Sequence, residues 1–208
     1  VGNPSIRDIA QRVRDAAPGC GRTRLVLIDG PAGSGKSTLA NRLAVALGGE
    51  ASAGAGTFRP DAPLAEGAEV QILHGDDLYE GWDGLATLAE VLLDQILEPL
   101  VAGGEGTFRM WDWVEGRRTH EIRVPQRAFL IIEGVGVGMP RARELAVLTV
   151  FVDAPADERL RRGIARDGEG MLGEWQRWQA IETGHLAAAG LPAAADVVLD
   201  GTARIPDK

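Results

Sequence analysis

Nine consecutive residues, Gly30-Pro31-Ala32-Gly33-Ser34-Gly35-Lys36-Ser37-Thr38, bring together three glycines, a lysine and adjacent hydroxyls. Glycines let backbone N–H groups turn inward around an anion with no Cβ in the way. The lysine carries a charge suited to the outer phosphates of a nucleotide. The Ser37 hydroxyl offers the kind of oxygen that Mg²⁺ prefers. The spacing fits G-x-x-x-x-G-K-[ST] in full, which is a phosphate-binding loop. Gly30, Ala32, Gly33, Ser34, Gly35, Lys36, Ser37 and Thr38 are therefore expected to hold ATP, the default nucleotide, with Mg²⁺ beside Ser37. Such a loop leaves the reaction open, because kinases, switch GTPases and mechanical ATPases all use it.

Carboxylates supply the second set of candidates. Asp76 and Asp77, Glu133 and Asp153 each follow a short apolar run. In parallel sheets, functional groups gather at the carboxyl ends of strands. Transfer of a phosphoryl group to a hydroxyl calls for a base near the nucleophile and a carboxylate near the metal. Asp76 and Glu133 suit those tasks; Asp77 and Asp153 read more readily as turn residues.

The elements that must position these groups are legible from periodicity. Residues 24–29 read as a buried strand, and a helix from about Lys36 to Leu47 follows the glycine-rich turn. Further strands are expected at Val70–Leu73, Phe129–Ile132, Leu148–Val152 and Asp196–Leu199. Ile6, Ile9, Ala10, Val13 and Ala17 mark an N-terminal helix within residues 1–21. Leu85, Leu88, Leu92, Ile96 and Leu100 predict one long helix over Leu85–Val101, stopped by Gly103-Gly104. Asp157–Arg166 and residues 171–189 also read as helical. Residues 48–68, rich in Ala, Gly and Pro, read as a flexible insertion. Strands alternating with helices imply one α/β domain over 1–208 with a mostly parallel sheet.

Composition narrows the classes. The chain has 208 residues, 45% hydrophobic and 25% charged, with a formal net charge of -8. That acidity argues against general binding to nucleic acid or to anionic membranes. A single cysteine, Cys20, allows no internal disulfide and fits a reducing cytoplasm. Residues 1–17 carry three arginines and two aspartates and do not read as a signal peptide. No apolar run approaches the ~20 residues of a membrane span.

The order of motifs resembles the uridine kinase and phosphoribulokinase group of P-loop kinases, from about Leu25 to Gly201. Asp76-Asp77-Leu78-Tyr79 is similar to that group's Asp-Ser-Phe-Tyr segment, which implies Asp76 as catalytic base and Tyr79 at the acceptor. Met110-Trp111-Asp112-Trp113 resembles its Tyr-Asp-Phe acceptor segment, implying roles for Trp111 and Asp112. Ile131-Ile132-Glu133-Gly134 resembles its Glu-Gly turn, where the Glu helps hold Mg²⁺. Arg159 through Asp167 resembles its arginine-rich lid, expected over about 158–172. The final strand resembles Ala195–Gly201. The resemblance implies a three-layer fold: a five-stranded parallel sheet of order 2-3-1-4-5, with helices on both faces. Two departures stand out. Where uridine kinases carry a pyrimidine-reading His, this chain has Gly116, and after Asp167 it runs Gly168-Glu169-Gly170-Met171. Kinase chemistry is implied; uridine specificity is not.

Arg162 and Arg166 suit a clamp on the moving phosphoryl group, beside Lys36. Arg117 and Arg118 suit an anionic acceptor, or an exposed turn. Trp82, Trp111 and Trp113 suit a wall for a flat substrate or, equally, core packing, whereas for Trp175 and Trp178, three apart on a helix, core or interface packing is the expectation. His74 reads as a packed strand residue. The leading expectation is a small-molecule kinase acting on a nucleoside-like or sugar-bearing hydroxyl. A nucleoside-monophosphate kinase and a nucleotide-binding regulatory module stand as alternatives; the latter finds no Asn-Lys-x-Asp guanine signature. A small-molecule acceptor is the expected partner, with homo-oligomerisation left open.

Overall fold

The computed structural model describes residues 2–57 and 68–208. Along the chain lie α1 (Ile6–Asp15), β1 (Arg24–Asp29), α2 (Lys36–Ala46) and β2 (Val70–His74). Next come α3 (Glu98–Val101), β3 (Gly106–Asp112), β4 (Arg117–Val124) and β5 (Phe129–Glu133). The chain continues through α4 (Pro140–Leu145), β6 (Ala146–Asp153), α5 (Ala156–Asp167), α6 (Leu172–Ala188) and β7 (Val197–Asp200). Part of the insertion expected at 48–68, residues 58–67, lies outside the described residues.

Five strands pair in parallel in the order β2-β5-β1-β6-β7. Both faces are covered, and this explains the unbroken apolar runs. On the central strand, Leu25 and Leu27 point into one core while Val26 and Ile28 point into the other. The second core is closed by α1 and α2 through Ile6, Ile9, Val13, Leu39 and Leu43. Each fully buried Leu or Ile contributes about 1.5–3 kcal/mol to folding. Ser5 caps α1 by accepting the Asp8 amide at 3.1 Å. By contrast α2 has no side-chain cap: Gly35, at φ 108°, starts it and leaves its first amides facing the open end.

Two expectations change here. The predicted helix over Leu85–Val101 is instead a 3₁₀ segment (Gly81–Ala86), a π-helical stretch (Glu90–Leu97) and the short α3. Its apolar stripe is real, since Leu85, Leu88, Leu92, Ile96 and Leu100 are all buried, but the winding is wider than an α-helix. The second change is an antiparallel hairpin, β3–β4, that stands apart from the main sheet. Phe108 and Met110 from one strand, and Ile122 and Val124 from the other, anchor it in the first core.

Among the described residues no helix is long and apolar enough to cross a membrane.

Candidate active site

Parallel strands end on the same side, so the loop after β1, the turn after β2 and the residue closing β5 meet in one place. The loop from β1 to α2 forms the floor. Gly30 lies beneath it, where a Cβ would come within 2.1 Å of the Val152 carbonyl. At Gly33, φ is +78° and a Cβ would meet the Arg159 carbonyl at 2.7 Å. Ala32 to Thr38 line a cleft of about 590 Å³, together with Asp76, Glu133, Arg162 and Arg166. The N-terminus of α2 points its free amides and positive dipole end into this cleft. Lys36 is buried and donates to the Pro31 carbonyl at 3.0 Å, which holds its ammonium over the loop.

Ser37 Oγ donates to Glu133 Oε1 at 2.9 Å. A hydroxyl and a carboxylate thus converge beside the phosphate cradle. Mg²⁺ commonly takes one or two protein oxygens and completes its shell with phosphate and water, so this donor set fits it. The same Glu133 oxygen lies 2.6 Å from His74 Nδ1. Burial alone would drive the imidazole down, but the hydrogen bond and charge of Glu133 raise it above its ordinary value. Burial also works to raise Glu133, yet His74 and then Lys36 hold it below the usual carboxylate range.

Asp76 opens to solvent in the cleft. Its carboxyl is raised above the usual range, first by the protein crowded around it and second by the charge of Glu133. Water in the cleft moderates that rise. Its neighbour Asp77 turns inward, accepts the Gly56 amide at 2.7 Å and is pushed by burial to about 6.

A second cavity of about 670 Å³ adjoins the first. Tyr79, Trp82, Trp113 and Trp178 wall it, and Asp76 and Glu133 line both spaces. The two carboxylates therefore sit where the cavities meet. Trp82 packs edge-on against Trp113 (centroids 5.6 Å apart) and Trp178 (5.9 Å). Trp113 Nε1 donates to the Asp76 carbonyl at 2.8 Å, tying the hairpin to the turn that carries this aspartate. Tyr79 is buried, with its hydroxyl on the Val135 carbonyl at 2.5 Å.

Arg162 lines the first cleft, donating to the Gly33 and Gly201 carbonyls at 3.1 and 3.2 Å. Arg166 lines both cavities, pairs twice with Asp167 and lies 5.7 Å from the Trp175 ring. Three expected acceptor residues are not brought to either cavity. Trp111 packs near Gly81, Asp112 accepts the Val114 and Glu115 amides to close the hairpin turn, and Arg117 faces Glu115 at the exposed hairpin tip. Two residues apart, the tryptophans would share a face of a regular strand. But β3 shifts register between Arg109 and Trp111 and ends at Asp112, so Trp113 leaves the strand and it alone of the two lines the pocket. Arg118 is occupied by Glu80 and by the Arg109 and Leu78 carbonyls. Asp153 binds the Ala154 amide, away from both cavities.

Sequence reasoning passed over two supports, Asp29 and Glu182, and gave a third, Arg159, to the lid although it is buried beneath the loop. Buried Asp29 accepts the amides of Gly30, Gly136 and Gly138 at 2.6, 2.9 and 2.7 Å. Glu182, fully buried on α6, accepts the Ala32 amide at 2.8 Å and pairs with Arg159 at 2.5 Å. Arg159 in turn donates to the Ala32 carbonyl at 3.3 Å. A lone acidic residue inside a helix carries no spacing signal that would have singled it out.

No protein-family model matches the chain, and no curated protein matches it in sequence. Solved structures do. One named as a possible uridine kinase, from Bacillus stearothermophilus, is 22% identical with a TM-score of 0.62; the match covers 94% of this chain and 97% of that one. Another, assigned as a fructose transport system kinase from a Silicibacter species, is 18% identical with a TM-score of 0.60, over 93% and 98% of the two chains. With a glycine-rich cradle, a parallel sheet and matched length alike, this chain shares the P-loop α/β fold of these two structures.

Proposed function

We propose that this protein is an ATP-dependent small-molecule kinase that moves the γ-phosphate to a hydroxyl of a nucleoside-like or sugar-bearing metabolite. One observation carries the reading: the phosphate cradle and a tryptophan-walled pocket open onto the same two carboxylates, Asp76 and Glu133. The loop amides and Lys36 grip the polyphosphate in the first cleft. Mg²⁺, held by Ser37 and Glu133, would neutralise charge on the β- and γ-phosphates. The acceptor lies in the second pocket, with its hydroxyl toward Asp76. Asp76 takes the hydroxyl proton as the new O–P bond forms and the bond to ADP breaks. Arg162 and Arg166 balance the charge on the transferred group, Arg166 by exchanging its Asp167 partner for phosphate. The aromatic walls keep water, a competing acceptor, at bay.

The monophosphate-kinase alternative draws less support, because Arg117 faces Glu115 at the hairpin tip and Arg118 is already engaged. The test is ADP release from purified protein with Mg-ATP and a panel of nucleosides, sugars and nucleoside monophosphates. At least one neutral hydroxyl acceptor should raise turnover well above the buffer rate. If none does, the kinase reading fails; if only monophosphates do, the alternative replaces it.

A further inference from the structure

Glu133 is held from behind by a chain of contacts that no part of the proposed reaction uses. His74, the last residue of β2, places Nδ1 2.6 Å from Glu133 Oε1 and Nε2 2.7 Å from Ser52 Oγ. Ser52 lies in the loop that follows α2. Asn41 on α2 pins it at both backbone groups, accepting the Ser52 amide at 2.8 Å and donating to the Ser52 carbonyl at 3.0 Å. Ser52 Oγ also accepts the Gly54 amide at 3.0 Å, and Gly56 N–H reaches Asp77 Oδ1. Gly54 and Ala55 line the second cavity together with the tryptophans. One imidazole thus bridges the carboxylate beside the phosphate cradle and the loop that closes the acceptor pocket.

The geometry is specific. An ionised Glu133 can only accept, so Nδ1 donates to it in either protonation state of the ring. Glu133 Oε1 already accepts Ser37. Two donors on one oxygen restrain the carboxylate, whose Oε2 accepts no hydrogen bond among the described residues. His74 and Glu133 are both buried, so neither can exchange its partner for water without cost.

Resting on the kinase reading, we propose that His74 is a positioning residue that aims Glu133 toward the metal side of the phosphate site. We infer also that Ser52 makes that aim depend on the loop walling the acceptor pocket. Ordering the loop and binding metal-nucleotide then favour each other, and by linkage each strengthens the other equally. The loop needs no contact with phosphate for this, since the ring transmits the orientation.

Three variants separate the parts. His74→Asn keeps a donor near the Nδ1 position and loses the link to Ser52. Ser52→Ala cuts the same link from the other side. His74→Phe keeps a flat ring and loses both. Two readouts are taken without turnover: calorimetric ADP affinity with and without Mg²⁺, and hydrogen exchange at the Gly54–Gly56 amides with and without Mg-ADP. In the wild type Mg²⁺ should tighten ADP, and Mg-ADP should slow exchange in the loop. His74→Phe should cut the Mg²⁺ enhancement at least fivefold while metal-free ADP binds within twofold of wild type. His74→Asn and Ser52→Ala should keep the enhancement within twofold but lose the loop's response to Mg-ADP. A merely structural role would weaken both affinities together, in step with thermal stability, and that result overturns the proposal. So does an unchanged loop response in Ser52→Ala and His74→Asn, which decides the matter even if His74→Phe does not fold. Failure of wild-type protein to bind Mg-ADP at all would instead sink the kinase reading beneath it.

Discussion

Consider removing the ion pair beneath the phosphate cradle. Arg159 and Glu182 are 2.5 Å apart, with side chains 9% and 1% exposed, and both also bind Ala32. Burial raises the Glu182 carboxyl despite the Ala32 amide and Arg159. Desolvation therefore outweighs the attraction, the usual balance for such pairs. Glu182→Leu strands a buried guanidinium with only the Ala154 and Ala32 carbonyls to bind. Breaking one side of a buried pair costs about 3–5 kcal/mol, and those carbonyls should bring it to roughly 2–3. Arg159→Met should cost about as much near neutral pH, and less in acid, where Glu182 takes up a proton. The double variant leaves no buried charge and should cost only about 1–2 kcal/mol, giving a coupling energy of at least about 2 kcal/mol. Urea unfolding of the four proteins at pH 7 measures each corner of the cycle. Mg-ADP affinity should stay depressed in the double variant, because Ala32 has lost both side-chain tethers. If the double variant costs as much as the two singles added together, the pair is not a coupled unit and the argument fails.

Asp76→Asn should keep Mg-ATP affinity within a few-fold while acceptor-dependent turnover falls by roughly a hundredfold or more; parallel loss of both would contradict the base role. Asp77→Asn keeps the acceptor for Gly56 and removes a titration. The folded Asp77 lies at about 6 against an ordinary 3.8, surrounded by His74, Asp76 and Glu133. The folded state thus binds the extra proton, so that contribution is full below about 3.8 and disappears as pH rises through about 6. Relative to wild type, the variant should gain roughly 1–3 kcal/mol between pH 4 and pH 8 in denaturant titrations; an unchanged difference would refute it. Gly163→Ala would put a Cβ 2.3 Å from the Trp175 ring, where α5 meets α6. It should destabilise by about 1–3 kcal/mol, read from thermal unfolding, and an unaltered Tm would contradict that packing.

The cradle was legible in the sequence because everything it needs is contiguous: a buried strand, glycines, Lys36, Ser37 and a helix. Asp76 and Glu133 were nearly as plain, since each follows a strand that a parallel sheet must end on one side. The hairpin was missed although its signal was present. Along 106–110 burial alternates residue by residue, the period of a strand with one wet face, and Gly116 takes φ +61° in the turn. Reading Met110–Trp113 as a motif rather than as a strand put Trp111 at the pocket along with Trp113, and only Trp113 lies there. Heptad-like leucines over 85–101 gave the correct buried stripe, but spacing alone does not separate α from π winding. Arg159–Glu182 and the Ser52–His74 bridge join residues far apart in the chain, and no local pattern encodes such meetings.

The hairpin Gly106–Val124 meets the chemistry at Trp113, which donates to the Asp76 backbone and walls the second cavity, while Arg118 ties it to Leu78 and Glu80 farther along the same turn. Its rooting residues, Phe108, Met110, Ile122 and Val124, belong to the core and not to the nucleotide cleft. On the proposed reading this makes the hairpin an exchangeable cassette. Tip residues other than Trp113 line neither cavity and can drift, while the machinery that reads ATP stays intact on the other sheet. Selection, or an engineer, would have to preserve the four rooting side chains and the indole at 113.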